Sequence, residues 1–230
     1  MLGYILFFWR AIMRTDSPKN SIHYIETVFG KENALKASVR QKLKEDKKEG
    51  LNVSPLEGQM LKFFVQSYGL KNIVEIGTLY GYSALWFLDS IPEDGKLYCL
   101  ERDNNNIAVA KSFVEQTSKS QNVEFLLGEA KDSLKKLEPK GPFDLVFIDA
   151  NKTGYLEYGK WAIKNVRKGG LIIADNTFLF GHVYGDQSKL DVGTNMVETM
   201  CAYNELFANH PDFTSMMIPS LEGLTVSYKI

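Results

Sequence analysis

Two aspartates, an asparagine and a lysine have the types and spacing to do chemistry. Asp149 closes the apolar run FDLVFID, Asp175 and Asn176 close GGLIIADN, and Lys152 follows Asp149 by three residues. The first three offer hard oxygen atoms, with no histidine or cysteine close by in the sequence, so a site built from them suits magnesium, calcium or manganese rather than zinc. Left alone in one cleft, the two aspartates would repel and one would take up a proton. A divalent cation lets both stay ionised. The same spacing also fits a plainer reading, two strand-end aspartates that cap neighbouring helices. Lys152 by itself reads as a solvated lysine. Beside a divalent cation its ammonium is disfavoured by like charge, and the amine becomes a proton acceptor.

A second constellation lies in KNIVEIGTLYGYSAL, residues 71–85. An apolar run carrying Glu75 stops at Gly77, and Gly81 with Ser83 opens a helical segment, so the stretch reads as strand, tight turn and helix start. It lacks both the GxGxxG spacing for a pyrophosphate and the lysine of a P-loop. An NAD-linked reductase is therefore the least favoured class. Gly77 instead gives a small ligand a close approach to the backbone. Glu101 ends the next apolar run, where doubly wound folds place an acid on ribose hydroxyls. A ribose without a diphosphate points to an adenosyl ligand.

Strands are expected at 73–76, 96–101, 123–127, 143–148 and 170–174, with helices at 83–90, 105–118, 131–137 and 155–166. LVFI and LIIA alternate little, which suggests burial on both faces and a parallel sheet. Ligands of such sheets bind at the carboxyl ends of the strands, where these acids lie. Upstream, residues 20–50 read as helical, and KASVRQKLKEDKKEG as a solvated helix face. Ser54, Pro55 and Glu57 open a helix that Gly69 ends. Beyond Asp175 come the aromatic, glycine-rich loop TFLFGHVYGDQSK, a helix over about 192–208, and a closing hairpin from SMMIP and GLTVSYKI.

At 230 residues and 44% hydrophobic content the chain suits a single α/β domain. Its net charge of -1 gives no general attraction to nucleic acid or anionic lipid, so neither is an expected partner. Cys99 and Cys201 have neither metal-site spacing nor a disulfide framework, which fits a reducing, cytoplasmic setting. None of the three histidines is given a catalytic role, although His182 lies in the expected substrate loop. MLGYILFFWRAIM is too short to span a bilayer and a poor secretory signal. It reads as a disordered arm, a helix packing on a partner subunit, or residues before a start at Met13, the last two being preferred because exposed apolar residues favour association.

EGQ at 57–59, VEIGTLYGYSAL, the acid of YCLERD, GEA at 128–130, FDLVFIDANKTGY and GGLIIADN occur in an order that resembles the cation-dependent S-adenosylmethionine O-methyltransferases, the caffeoyl-CoA and catechol O-methyltransferase group. The resemblance spans about 51–230. It implies a Rossmann-like class I methyltransferase domain there, preceded by an N-terminal arm and helices over 1–50. The expected fold is α/β: a seven-stranded, mostly parallel sheet with a reversed last strand and helices on both faces. Position by position, Val53, Glu75, Gly77, Ser83, Glu101, Ala130 and Asp149 fall on cofactor-binding positions. Glu75, Gly77 and Ser83 would surround the methionyl part, Glu101 the ribose and Ala130 the adenine. Asp149, Asp175 and Asn176 fall on the metal ligands, with magnesium expected ahead of calcium or manganese, and Lys152 on the catalytic lysine. Glu101 stands where the family usually has aspartate, Asn151 replaces a common aspartate, and Leu179 stands where the plant enzymes tend to carry tryptophan. Phe178, Phe180 or Tyr184 would then supply an aromatic wall.

The implied reaction is methyl transfer to a hydroxyl of a small, hydroxylated aromatic acceptor, a vicinal diphenol. The alternatives are a non-catechol hydroxyl and a nonenzymatic adenosyl-binding scaffold. A homodimer is expected.

Overall fold

The computed structural model describes residues 21–186 and 191–230. The expectations for residues 1–13, and for the end of the aromatic loop, lie outside the described residues. Seven strands form one sheet: β1 (Asn72–Ile76), β2 (Lys96–Glu101), β3 (Val123–Leu127), β4 (Phe143–Ile148), β5 (Val166–Ala174), β6 (Phe213–Ile218) and β7 (Leu224–Lys229). Their order is β3-β2-β1-β4-β5-β7-β6. The first five pair in parallel, and β7 enters antiparallel between β5 and β6. The reversal at β1, where the chain crosses from β3 back to β4, is the switch point that opens a crevice at the strand ends.

The helices are α1 (Ser21–Phe29), α2 (Ala34–Glu45), α3 (Pro55–Tyr68), α4 (Tyr82–Leu88), α5 (Asn104–Val114), α6 (Ala130–Leu137), α7 (Tyr155–Asn165) and α8 (Thr194–Ala208). Side chains alternate across each strand, so the sheet has two apolar faces. Ile73, Leu145, Phe147, Leu171 and Ile173 lie in one core with residues of α2, α3 and α4. Val74, Ile76, Val146, Ile148 and Ile172 lie in the other with residues of α6, α7 and α8. Ser54 accepts from the Glu57 amide while the Glu57 side chain accepts from the Ser54 amide, a reciprocal cap that starts α3 where the sequence predicts. Gly69, in the left-handed region at φ 60°, ends it.

Residues 20–50 hold two helices, α1 and α2, and Asn33 caps α2 by accepting from the Lys36 amide. Two expectations need correction. Lys36 does not lie on a solvated face: it is buried, ion-paired with Asp89 and 4.6 Å from the Trp86 ring centroid. Val166 begins β5 rather than ending α7, so the strand starts before the expected Gly170, across a register irregularity. The reason is Asp144. Its carboxylate accepts from the Lys71 and Asn72 amides, each at 2.7 Å, and from Arg167, pinning the irregular start of β5 to the start of β1.

Although burial opposes ionisation, those amides and the Arg167 guanidinium hold the Asp144 carboxyl below its ordinary value. Its stabilisation is thus present above the unfolded value, near 3.8, and is lost as pH falls through the lower folded value. Asp144→Ala should cost on the order of 2–4 kcal/mol at neutral pH, since two amides and a guanidinium lose their acceptor. Denaturant titrations of both proteins at pH 7 and in acid should show the gap closing on acidification; an equal gap at both would remove the ionic role.

Candidate active site

The backbone ladder of the sheet continues one residue past each strand end. Gly77 donates to the Leu100 carbonyl at 3.0 Å, Asp149 to Ile76 at 2.9 Å, Asp175 to Ile148 at 3.0 Å, and Gly128 to Glu101 at 3.0 Å. These bonds set the residues after β1, β4, β5 and β3 side by side. Gly77 lies at φ 91°, and a Cβ there would come within 2.0 Å of the Asp149 carbonyl oxygen. Only glycine allows that approach, which seats the turn after β1 against the acid after β4.

The turn is held from the neighbouring strand. Glu101 accepts from the Leu79 amide at 2.9 Å through one oxygen and from the Arg102 and Asp103 amides, each at 2.9 Å, through the other. Leu79 itself adopts φ 50°. A cavity of about 510 Å³ opens over this turn, and Gly77, Glu101, Ala130, Asp149, Lys152 and Asn176 all line it. Ser83 lines a smaller recess of about 30 Å³ that also touches Gly77 and Asp149. Glu75 lies beneath, fully buried, one oxygen accepting from Thr78 Oγ1 at 2.8 Å and Oε1 meeting no donor. The Val53 side chain is buried in the core, while its neighbours Leu51 and Asn52 line the cavity.

Asp149, Lys152 and Asn176 come together as the sequence suggests. Lys152 Nζ donates to Asp149 Oδ1 at 3.2 Å and to Asn176 Oδ1, so a positive charge already lies among these oxygens. Asp175 is 2% exposed, its Oδ1 accepting from the Asn176 amide at 2.7 Å. Burial pushes its carboxyl well above the ordinary value, Asp149 and Glu57 add to the rise, and Lys152 opposes it. Asn176 adopts φ 56°, a left-handed conformation that asparagine tolerates better than most residues. Among the described residues no cluster of three His, Cys, Asp or Glu side chains could hold a metal ion. The donor set here is two carboxylates and a carboxamide, which fits a hard divalent cation and not a thiophilic one.

Several contributors are not evident from spacing. Tyr155 is fully buried; its hydroxyl accepts from Lys152 at 2.8 Å and donates to the Asp175 carbonyl at 2.8 Å. It follows Lys152 by three residues at the start of α7, and that helical spacing was the available signal. Gly50 and Asn52 line the cavity from the connection between α2 and α3. Asn151 accepts from the Tyr158 hydroxyl at 2.6 Å. Of the candidate aromatics, Phe180 lines the cavity, Phe178 packs on Tyr184 at 5.5 Å between centroids, Tyr184 is exposed, and Leu179 is fully buried.

A second cavity, about 800 Å³, lies towards α1, α2 and the start of α3 and shares Gly50, Asn52, Asp175, Asn176 and Glu222 with the first. The two spaces meet at Asp175 and Asn176, the residues that follow β5.

Burial pushes the Glu75 carboxyl up to about 7, against the pull of the Ser83 and Thr78 hydroxyls. Between the ordinary value of 4.5 and about 7 the folded chain keeps a proton that the unfolded chain gives up. This group's stabilisation therefore declines as pH rises through that window and levels off above it. Thermal unfolding of the unliganded protein from pH 4.5 to 8 should show a smaller decline in Glu75→Gln than in the parent; parallel curves would mean that Glu75 does not titrate there.

A family model described as O-methyltransferase matches residues 26–230. Catechol O-methyltransferase of Niastella koreensis is 38% identical over 168 residues, which are 72% of this chain and 76% of that one. Caffeoyl-CoA O-methyltransferase of Stellaria longipes is 27% identical over 209 residues, 89% of this chain and 87% of that one. The O-methyltransferase TomG from Streptomyces achromogenes, involved in tomaymycin synthesis and solved in complex with SAM, superposes with a TM-score of 0.82 at 28% identity, covering 94% of this chain and 99% of that one. The seven-stranded sheet with its reversed last strand is the Rossmann-like methyltransferase fold. The chain belongs to the O-methyltransferase family.

Proposed function

We propose that this enzyme transfers the methyl group of S-adenosylmethionine to one hydroxyl of a vicinal diphenol, with a divalent cation at Asp149, Asp175 and Asn176. The observation that carries this reading is the meeting of two cavities at Asp175 and Asn176, with Lys152 at the junction. The cofactor lies in the smaller space. Glu101 faces the ribose, Ala130 the adenine, and Gly77 and Ser83 the methionyl part. Glu75 beneath them is the natural counter-charge for an ammonium, because its Oε1 meets no donor. The larger space takes the acceptor.

In the reaction the bond from sulfur to methyl breaks as the bond from the acceptor oxygen to methyl forms, and the hydroxyl proton is lost. A cation such as magnesium, calcium or manganese would supply Lewis acidity to the acceptor hydroxyls when bound. Lys152, entering the step as the free amine, receives the proton at Nζ. Tyr155 keeps that nitrogen at the junction whether or not it is charged, since its hydroxyl is itself fixed to the Asp175 carbonyl. Gly77 seats the turn that would carry the methionyl part against Asp149, which would hold the cation. Orientation of this kind can supply about 7–11 kcal/mol of the barrier, ample for a donor that is already activated.

The reading extends to a homodimer and a reducing, cytoplasmic setting. It is supported for the setting by two free cysteines, and among the described residues no helix is long and apolar enough to cross a membrane.

Turnover of a simple catechol, followed by product mass spectrometry, should disappear in excess chelator and return with added magnesium. Lys152→Ala should lower kcat by about 100-fold or more while cofactor binding persists. Full activity in chelator would overturn the metal role, and undiminished kcat in the variant would remove Lys152 as the base. Methylation of other hydroxyls but of no diphenol would move the acceptor class.

A further inference from the structure

The acceptor cavity has a marked charge character. Among the described residues its lining holds six acidic side chains against two cations, Arg40 and Lys44. Arg40 is already committed: its guanidinium donates to Glu32 at 2.6 and 3.0 Å, and the Tyr82 hydroxyl donates to the same carboxylate at 2.7 Å. Among the described lining residues that leaves Lys44 facing Glu26, Glu49, Glu57 and Asp175, so this wall stays anionic even with a doubly charged ion at its floor.

Glu57 turns this general character into a specific contact. It is 4% exposed, and the cap of α3 uses only one of its oxygens, Oε2, which accepts from the Ser54 amide at 2.8 Å. The other, Oε1, is buried without a donor, although the residue lines the cavity. A buried carboxylate oxygen without a partner carries an uncompensated loss of hydration. A primary ammonium on a ligand answers it in charge and in donors.

We propose that Glu57 is a specificity-determining residue, which makes the enzyme prefer phenolic acceptors carrying a protonated amine over those carrying a carboxylate or phosphate. This rests on the larger cavity being the acceptor space of the proposed reaction. An anionic arm in that space meets like charge on most sides, whereas an ammonium arm meets Glu57.

The test uses three acceptors sharing one vicinal dihydroxyphenyl ring and a short arm that ends in an ammonium, a neutral alcohol or a carboxylate. kcat/KM is measured for each in the parent and in Glu57→Gln, with magnesium present. Glutamine can still accept from the Ser54 amide, so the cap of α3 is kept. The parent should favour the ammonium over the carboxylate by about tenfold or more, and the variant should lose about tenfold of that ratio. Added salt should shrink the preference in the parent. Equal use of ammonium and carboxylate by the parent, or an unchanged ratio in the variant, would overturn the assignment. Calorimetric binding of the same compounds, with magnesium and S-adenosylhomocysteine present, separates the two claims. Charge-selective binding that depends on Glu57, without turnover of any diol, would sink the proposed reaction and keep this inference; turnover without charge selection would do the reverse.

Discussion

The site depends on the parallel backbone ladder running one residue beyond the ends of β1, β3, β4 and β5. Through these bonds Gly77, Gly128, Asp149 and Asp175 take fixed places on neighbouring strands, before any side chain is considered. Because every bond in the series is a backbone bond in a buried sheet, it costs little further ordering entropy once the sheet is formed. Gly77 adds the close contact that brings its turn against the Asp149 carbonyl. Side-chain chemistry then needs only short reaches, such as Lys152 to Asn176.

Electrostatics at these strand ends is a contest between burial and compensation. Glu75 and Asp175 are both buried, and burial raises both carboxyls. The Asp144 carboxylate at the opposite end of β4 shows the other outcome: two amides and a guanidinium outweigh its burial. The difference lies in donors. Asp144 has its full complement, whereas Glu75 has an oxygen without one, and positive charge reaches Asp175 from Lys152. Acids left short of donors at a ligand cavity are poised for cationic ligands, while a fully satisfied acid serves the fold.

The apolar runs ending on acids made the parallel strands legible in the sequence, and strand boundaries at 96–101, 123–127 and 143–148 agree with the observed ones. Asp149, Lys152 and Asn176 were legible because the residue after a buried strand has one place to be. What escaped notice was long-range pairing. Nothing local to RKGG shows that Arg167 will reach Asp144, so the expected strand begins only at Gly170. Likewise Lys36 sits in a charge run whose other members are mostly exposed, and only the distant Trp86 and Asp89 explain its burial. Tyr155 lies within helical reach of Lys152, but only the fold brings the Asp175 carbonyl to its hydroxyl.

The two halves of the site come from different parts of the chain, and that separates what is constrained from what can vary. The residues proposed to hold cofactor and cation belong to sheet ends, where one altered backbone position disturbs the neighbouring strand as well. The proposed acceptor space is lined largely from α1, α2 and the start of α3. Side chains there can change without disturbing the ladder, so charge at those positions can tune the acceptor while the methyl-transfer geometry stays as it is. Glu57 joins the two regimes. One of its oxygens starts the helix, the other is buried without a donor in a residue that lines the proposed acceptor space, and its charge is felt at Asp175. A substitution that keeps the cap but removes the charge therefore acts on selection, and one that removes both acts on the fold as well.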